Sequence, residues 1–293
     1  MQKQWTAVIR PKNNLLDLKL KEVWRYKDLI RLFVARDFKT KYKQTVLGPL
    51  WFIIQPLFTT VIYNFVFGNI AGLSTDGMPG FLFYMAGNVP WLYFSSCITN
   101  TSNTFVSNAG VFGKVYFPRL TTPISTVITA IINFVIQFAM FLIFWVYFLL
   151  KGAPIHLNWV AALTPVLVIQ MAILGMGFGI IISSLTTKYR DLQVLVSFGV
   201  SLWMYATPVI YASSSLSPKM YNLLMLNPMS PVIELMRYGW LGSGKISFLF
   251  WGISWITTFI VLLLGIIMFN RVEKTFMDFL LWKGQGRSPS EIL

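Results

Sequence analysis

The sequence has very little charge for its length, and the few charges are unevenly distributed. Charged residues make up 12% of the 293 positions, whereas soluble domains contain about 25%. Stretches without Asp, Glu, Lys or Arg cover residues 44–75, 77–113, 120–150, 152–187, 192–218 and 246–270. Each stretch exceeds the roughly 20 residues that cross a bilayer as a helix. Because long apolar runs satisfy their backbone in lipid as helices, we predict an all-α membrane protein.

Cysteine and histidine are also scarce, with Cys97 and His156 the single examples. One cysteine excludes an intramolecular disulfide and a multi-cysteine metal site, and one histidine leaves no histidine-based metal cluster. The apolar stretches lack the ionisable relays that ion-coupled carriers use. They also lack a paired-carboxylate or Ser-His-Asp arrangement. We therefore predict a chain with no catalytic residues and no metal site.

The apolar stretches predict six transmembrane helices, and the basic residues orient them. The predicted spans are 47–70, 81–105, 122–150, 159–185, 193–212 and 247–270. Of the 24 Lys and Arg residues, 20 lie on the side that holds both termini. Positive residues concentrate in cytoplasmic loops, so we expect both termini in the cytoplasm. This topology explains the net charge of +14 without a nucleic-acid partner.

The predicted spans divide the chain into three regions. Residues 1–46 form a cytoplasmic N-terminal region, residues 47–270 a six-helix transmembrane domain, and residues 271–293 a cytoplasmic C-terminal tail. Within 22–37, apolar residues recur at three- and four-residue spacing, while most charged residues fall elsewhere around the helix. The apolar set is Val23, Tyr26, Ile30, Phe33 and Val34. This pattern is typical of an amphipathic helix in the membrane interface.

The segment between the fifth and sixth predicted spans is too interrupted for another crossing. Residues 213–245 contain Pro218, Pro228 and Pro231 together with four charges. Residues 221–226 and 232–238 nevertheless look helical, so we predict two short re-entrant helices. Glu234 and Arg237 are one turn apart and could pair. Such a pair is either a surface salt bridge of little energetic value or part of a gate.

Two glycine patterns have different interpretations. Residues 239–245 fit the phosphate-loop spacing G-x-x-x-x-G-K, but Ile246 stands where Ser or Thr would bind magnesium. We interpret this segment as a turn before the sixth span. Gly175 and Gly179 place small residues four apart in the fourth span, which favours close helix packing.

Five segments in this order resemble one protein family. They are ARDFKTKYKQTVLGPLWFIIQPL at 35–57, NAGVFGKVYFPRLTTP at 108–123, TTKYRDLQ at 186–193, ATPVIY at 206–211 and LNPMSPVIELMR at 226–237. The chain resembles the permease subunit of ABC-2 type exporters, in the branch that exports polysaccharides such as O-antigen, capsule and teichoic acid. The resemblance extends over about residues 20–280.

The resemblance implies an assembly in the cytoplasmic (inner) membrane. Two permeases would form a homodimer with two copies of a separate ABC ATPase subunit. ATP and magnesium would bind that partner, so this chain would need no cofactor and hydrolyse no ATP. A coupling helix at 107–116 and the loop at 188–193 would contact the ATPase. The residues concerned are Ser107, Asn108, Val111, Phe112, Lys114, Tyr116, Arg190 and Asp191. The external gate would include Asn227, Pro228, Glu234 and Arg237.

Aromatic and basic residues give candidates for contact with the substrate. Rings and hydroxyls in the spans could stack on sugars without fixed charge, or they could belong to ordinary interface belts and core packing. The candidates for the channel are Trp51, Tyr84, Trp91, Tyr93, Trp203, Tyr205 and Tyr211. The basic residues Arg36, Lys39, Lys41 and Lys43 either set topology and rest on membrane lipid, or also attract the phosphate of an undecaprenyl-linked polysaccharide.

Several alternatives to O-antigen export stay open at this stage. The same family includes exporters of teichoic acid, capsule and small drugs or lipids. A membrane-embedded glycan-processing enzyme would need converging carboxylates near a membrane face, and the candidates are Asp76 and Glu234, which nothing in the sequence brings together. An ion channel is disfavoured because no charged residue can be placed in a pore.

Overall fold

The computed structural model describes residues 20–43, 50–112, 117–186 and 192–284. All regular elements in these ranges are helical, which confirms the predicted all-α class. The α-helices are α1 (Leu20–Arg25), α2 (Lys27–Lys43), α3 (Trp51–Tyr63), α4 (Gly80–Ser102), α5 (Thr104–Phe112), α6 (Thr121–Leu150), α7 (Thr164–Thr186), α8 (Leu192–Tyr205), α9 (Pro218–Met225), α10 (Met229–Leu241) and α11 (Phe248–Gly284). A π-helix, Asn64–Ile70, continues α3, and short 3₁₀ helices occupy Trp159–Leu163 and Ser213–Ser215.

Helices occupy all six positions at which the sequence predicts a span. Four are long and apolar enough to cross a membrane by length and composition: Trp51–Ile70, Thr121–Leu150, Trp159–Thr186 and Phe248–Arg271. The α4 helix has 23 residues, but polar side chains such as Asn88 and Asn100 lower its mean hydropathy. The α8 helix has 14 residues, which is about 21 Å of helix. Length and composition therefore support four of the six predicted spans.

Several predicted boundaries differ from the structure. The fifth span was predicted to reach residue 212, but α8 ends at Tyr205. Pro208 disfavours helical backbone at the residue before it, so residues 206–212 form an irregular turn. The second span was predicted to reach residue 105, but α4 ends at Ser102 and α5 begins at Thr104. The α11 helix continues past residue 270 as far as Gly284.

Glycines allow α7 to pack closely against two neighbouring helices. A Cβ atom on Gly175 would lie 2.6 Å from Cys97 Cβ in α4, and one on Gly179 would lie 2.5 Å from Thr101 Cβ. On another face, a Cβ on Gly265 of α11 would lie 2.9 Å from the Gly177 carbonyl oxygen. The close packing predicted for Gly175 and Gly179 is confirmed, and it places α7 between α4 and α11.

The helix bundle has two chemically different ends. At one end, which we call the basic end, α1 and α2 bury Val23 and Phe33 while Arg25, Asp28 and Arg31 stay exposed. This confirms the predicted amphipathic pattern, although a break at Tyr26 divides the segment into two helices. The Phe33 ring centroid lies 5.7 Å from that of Phe117. Apolar contacts therefore pack α2 against the basic end of the bundle.

At the opposite end, which we call the loop end, three connections meet. They comprise residues 71–79, residues 151–158, and residues 206–247 with α9 and α10. The His156 backbone N–H donates to the Leu241 carbonyl, and the Ser214 hydroxyl donates to Asp76 Oδ1. The predicted pair of short helices between the fifth and sixth spans is confirmed as α9 and α10.

Candidate functional site

An open cleft of about 740 Å³ lies at the loop end, where α8, the 206–212 turn and α9 meet. Its walls combine aromatic rings, aliphatic side chains and one amide. The lining residues are Leu73, Trp203, Tyr205, Ala206, Tyr211, Ser215, Leu216, Met220, Leu223, Leu224, Asn227 and Pro228. No ionisable carboxylate or basic group is among them. A surface of this composition suits a neutral, ring-bearing, hydroxyl-rich ligand.

Asn227 organises one side of the cleft through four hydrogen bonds. Its Oδ1 accepts from Trp203 Nε1 and from the Met229 backbone N–H, each at 3.1 Å. Its Nδ2 donates to the Ala206 carbonyl at 2.9 Å and to Thr207 Oγ1 at 2.8 Å. One side chain thus connects the end of α8, the turn that follows it and the start of α10.

Glu234 and Arg237 form a buried ion pair rather than a surface salt bridge. Their side chains are 2% and 1% exposed, and Arg237 Nη1 lies 3.3 Å from Glu234 Oε1. Burial raises the pKa of Glu234 above its ordinary value, and the Arg237 guanidinium opposes that rise. The sequence predicts the pairing correctly, whereas the burial depends on residues that are distant in the chain.

Arg237 also joins α10 to α4 and to the turn that follows α8. Its Nη2 donates to the carbonyl oxygens of Pro208 and Val209 at 2.9 and 3.1 Å. The guanidinium carbon lies 3.8 Å from the centroid of the Phe83 ring, within the range of a cation–π contact. A Cβ on Gly87 would lie 2.9 Å from Nη2, so the close approach of Arg237 to α4 requires glycine there.

Asp76 and Glu234, which nothing in the sequence brings together, lie near the same corner of the loop end in the structure. Asp76 acts electrostatically on both Glu234 and Arg237, and its Oδ1 accepts from Ser214 Oγ. Glu234 Oε2 accepts from the Lys245 backbone N–H at 3.4 Å. Because Glu234 is buried and paired, this corner resembles a structural ion cluster rather than a pair of accessible catalytic carboxylates.

A chain of hydrogen bonds, which the sequence analysis did not predict, connects the start of α10 to α11 and α7. Trp251 Nε1 donates to Gln170 Oε1 at 2.8 Å, and Gln170 Nε2 donates to Ser254 Oγ at 2.7 Å. Ser254 Oγ donates to the Pro228 carbonyl at 2.6 Å. An amide inside a charge-free apolar stretch is a recognisable signal of such a network.

The predicted channel residues separate into two groups by their surroundings. Trp203, Tyr205 and Tyr211 line the cleft, and Tyr211 Oη donates to the Tyr205 carbonyl at 3.3 Å. Trp51, at the start of α3, is half exposed. Tyr84, Trp91 and Tyr93 of α4 are buried within the single chain, and Tyr93 packs against Phe134 of α6. A role in the channel stays a prediction for all seven.

At the basic end, the structure describes part of the residues predicted to contact lipid phosphate and the ATPase. Arg36 and Lys39 are exposed on α2, and Arg36 pairs with Asp37 at 2.8 Å. Lys41 and Lys43 fall in α2, but their side chains lie outside the described residues. Ser107, Asn108, Val111 and Phe112 belong to α5, where Ser107 is exposed and Asn108 buried. The Phe112 side chain, together with Lys114, Tyr116, Arg190 and Asp191, lies outside the described residues.

The glycine segment at 239–245 is the end of a helix and the turn after it. Gly239 lies within α10, and Gly242 ends that helix with φ of 78°. Gly244 has φ of 99°, and a Cβ there would lie 2.6 Å from Glu234 Oε2. This arrangement is not the strand–loop–helix of a phosphate loop. Among the described residues, no group of three His, Cys, Asp or Glu side chains could hold a metal ion.

Comparison with known proteins identifies one family and related permeases. Residues 28–241 match the family described as ABC-2 type transporter. An O-antigen export system permease protein, RfbA, of Klebsiella pneumoniae is 32% identical over 254 residues, which cover 86% of this chain and 95% of the relative. An RfbA of Myxococcus xanthus is 28% identical over 74% of this chain and 80% of its own length. The polysialic acid transport protein KpsM of Escherichia coli is 23% identical over 71% and 79%.

Proposed function

The chain belongs to the ABC-2 type transporter family, and we propose that it is the permease of an exporter for a lipid-linked, O-antigen-like polysaccharide. The similarity to an O-antigen export permease over nearly the whole length of both chains carries this proposal. The loop-end cleft supports it, because its lining joins aromatic rings to an amide and hydroxyls without an ionised group.

The proposed topology has six crossings, with both termini and the basic end in the cytoplasm. The basic residues on the exposed side of α2 support this orientation, since positive residues concentrate on the cytoplasmic side. Arg36 and Lys39 would then face anionic lipid and the phosphate of an arriving undecaprenyl-linked substrate. The cleft, α9 and α10 would form the external mouth.

The working assembly in this proposal is two permeases and two ATPase subunits. Exposed apolar side chains on α3, on the π-helix that continues it and on α8 support a partner permease on that side of the bundle. Among them are Phe58, Val61, Phe65, Val194, Leu195 and Phe198, which are all more than half exposed. ATP would bind and be hydrolysed in the partner ATPase, and α5 together with the loop after α7 would transmit its closure to the spans.

Complementation tests the proposed substrate class. A strain that lacks its own O-antigen export permease would receive this chain together with its partner ATPase. We expect long-chain polysaccharide to return to the cell surface, and we expect no return with an ATPase variant that cannot hydrolyse ATP. Polysaccharide that stays inside the cell, although both proteins are inserted and assembled, would contradict the proposal. Restored polysaccharide export in a strain that lacks KpsM, without return of O-antigen, would instead favour a substrate like the polysialic acid named for KpsM.

A further inference from the structure

Three buried polar side chains on α4, those of Tyr84, Asn88 and Tyr93, have no hydrogen-bond partner among the described residues. Asn88 is 1% exposed, and neither its Nδ2 nor its Oδ1 is paired. Tyr84, one turn earlier, is fully buried with an unpaired hydroxyl. Buried polar groups are nearly always hydrogen-bonded, so each exception requires an explanation. An amide with both atoms unpaired is the strongest such exception in the described part of the chain.

Helix geometry shows which way Asn88 faces. Cys97 of α4 faces α7, since its Cβ lies 2.6 Å from the position of a Cβ on Gly175. Asn88 and Cys97 are separated by about two and a half helical turns, so Asn88 lies on the opposite side of α4. Tyr84 shares that side, with Cε2 3.5 Å from the position of a Cβ on Gly68, and Trp91 contacts Trp203 of α8.

The helix α3 lies over this side of α4 and contributes few fully buried side chains to the bundle. In α3, Pro56 and Thr60 are the buried residues, and the outer face is exposed. Proline within a helix and a π-helical segment both break regular packing, and α3 has Pro56 in its middle and the π-helix Asn64–Ile70 at its end. Thr60 Oγ1 is buried and unpaired as well. Elements with few buried contacts open at low cost.

We propose that Asn88, with Tyr84 and Thr60, belongs to the glycan path and is covered by α3 and α8 in this conformation. When these helices move away from α4, the amide donates to and accepts from sugar hydroxyls, and Trp91 offers a ring face beside it. This inference rests on the proposed export function and adds a site within it. It also explains why polar groups with no partner lie in the interior of the closed bundle.

Cysteine labelling during ATP turnover tests the exposure of Asn88. The permease–ATPase complex carrying Asn88→Cys is reconstituted in lipid and treated with a small, charged, membrane-impermeant thiol reagent, with and without ATP and lipid-linked polysaccharide. We expect labelling at position 88 to rise several-fold during turnover. The wild-type complex is the matched control, because Cys97 is the one cysteine of the permease and lies on the opposite side of α4. Equal labelling in all conditions would overturn the inference.

Removal of the unpaired amide separates a transport role from a structural one. The variant Asn88→Leu keeps the branched shape of the side chain and deletes the unpaired polar atoms, which is neutral or stabilising when no hydrogen bond is lost. We expect the Tm of the complex to stay level or rise while export falls several-fold. Gln170→Leu, which loses two hydrogen bonds, is the control whose Tm falls. If Asn88→Leu lowers Tm as Gln170→Leu does, Asn88 is paired through buried water and the inference is wrong.

The two proposals fail in distinguishable ways. Export by the wild-type complex, together with an Asn88→Cys complex that stays unlabelled at position 88, contradicts the glycan path through Asn88 and leaves the export function intact. A wild-type complex that hydrolyses ATP but moves no polysaccharide contradicts the export function. Labelling at position 88 that rises with ATP and is unaffected by the polysaccharide shows opening without glycan contact, which overturns the proposed role of the amide.

Discussion

Glu234 and Arg237 lie one turn apart on α10 and bury their ion pair completely, with Nη1 3.3 Å from Oε1. Arg237 adds two hydrogen bonds to the 206–212 turn and a cation–π contact with Phe83. One guanidinium therefore joins α10 to α4 and to the 206–212 turn. Because α9 and α10 form the proposed external mouth, this pair connects the stability of the fold to the opening of the path.

Removal of Arg237 should destabilise the protein strongly. Arg237→Ala leaves Glu234 buried without a partner, and breaking a buried pair in this way costs about 3–5 kcal/mol. We expect a large fall in the Tm of the detergent-solubilised complex. Arg31→Ala, which breaks the exposed pair with Asp28 on α2, should leave Tm unchanged. Equal effects of the two substitutions would contradict a structural role for the buried pair.

The double variant Glu234→Leu/Arg237→Met should recover part of the loss. Replacing a buried ion pair with apolar side chains of similar volume is often neutral or stabilising. We expect its Tm to lie above that of Arg237→Ala, with export still impaired because the carbonyl groups of Pro208 and Val209 have lost their donor. A double variant less stable than Arg237→Ala would show that the unpaired Glu234 is not the main cause of the loss in Arg237→Ala.

Close packing of α4 on α7 should depend on Gly179. A Cβ at this position would lie 2.5 Å from Thr101 Cβ, and overpacking of this kind costs about 1–3 kcal/mol. We expect Gly179→Ala to lower Tm. Gly252→Ala in α11 is the matched control, because nothing lies within 4 Å of its added methyl group and alanine favours a helix over glycine. Similar Tm values for both variants would contradict the packing described.

The hydrogen bonds of Asn227 should shape the cleft. Asn227→Leu removes all four, including the bonds to the Trp203 indole N–H and the Ala206 carbonyl, and each intramolecular hydrogen bond contributes about 0.5–1.5 kcal/mol net. We expect lower Tm and lower export. Asn227→Asp keeps the acceptor for Trp203 and should give an intermediate result. Asn222→Leu, at an exposed amide on α9, should change neither quantity, and a loss there would argue against a specific role for Asn227.

Docking of α2 on the bundle should depend on Phe33. This side chain is 4% exposed and its ring contacts Phe117, and truncation of a buried phenylalanine to alanine costs about 3–5 kcal/mol. We expect Phe33→Ala to accelerate tryptic cleavage at the exposed Lys27, Arg31 and Lys39. Leu32→Ala, at a neighbouring side chain that is 63% exposed, should not. Equal cleavage rates would show that α2 is not held by this contact.

The sequence predicted the helical elements well because their signals are local. Charge-free stretches located the six long segments, and the proline and charge breaks in 213–245 separated α9 from α10. The apolar spacing of Val23 and Phe33 predicted which side of the N-terminal helices is buried. Helix boundaries were predicted less accurately where a single residue ends the helix. Pro208 is an example, because α8 ends before it although the apolar sequence continues.

The arrangement of the site was harder to predict because it depends on contacts between distant residues. The spacing of Glu234 and Arg237 indicates a pair, but its burial requires Phe83, Gly87 and the Pro208 carbonyl. Composition alone did not distinguish the core position of Tyr93 from the cleft position of Tyr211. The sequence analysis did not single out Asn88 and Gln170, which lie among apolar neighbours, although polar residues inside a span are themselves a functional signal.

Reconstitution of the complex is the most direct test of the claim that this chain exports polysaccharide with a separate ATPase subunit. The permease and its ATPase partner are placed together in proteoliposomes, and lipid-linked O-antigen polysaccharide in the outer leaflet is followed by its protection from a glycan-degrading enzyme in the medium. We predict protection that needs ATP and both proteins, for complexes oriented with the ATPase outside. Transport or ATP hydrolysis by this chain alone would contradict the claim. A complete complex that moves small drugs and leaves the polysaccharide exposed would contradict it as well.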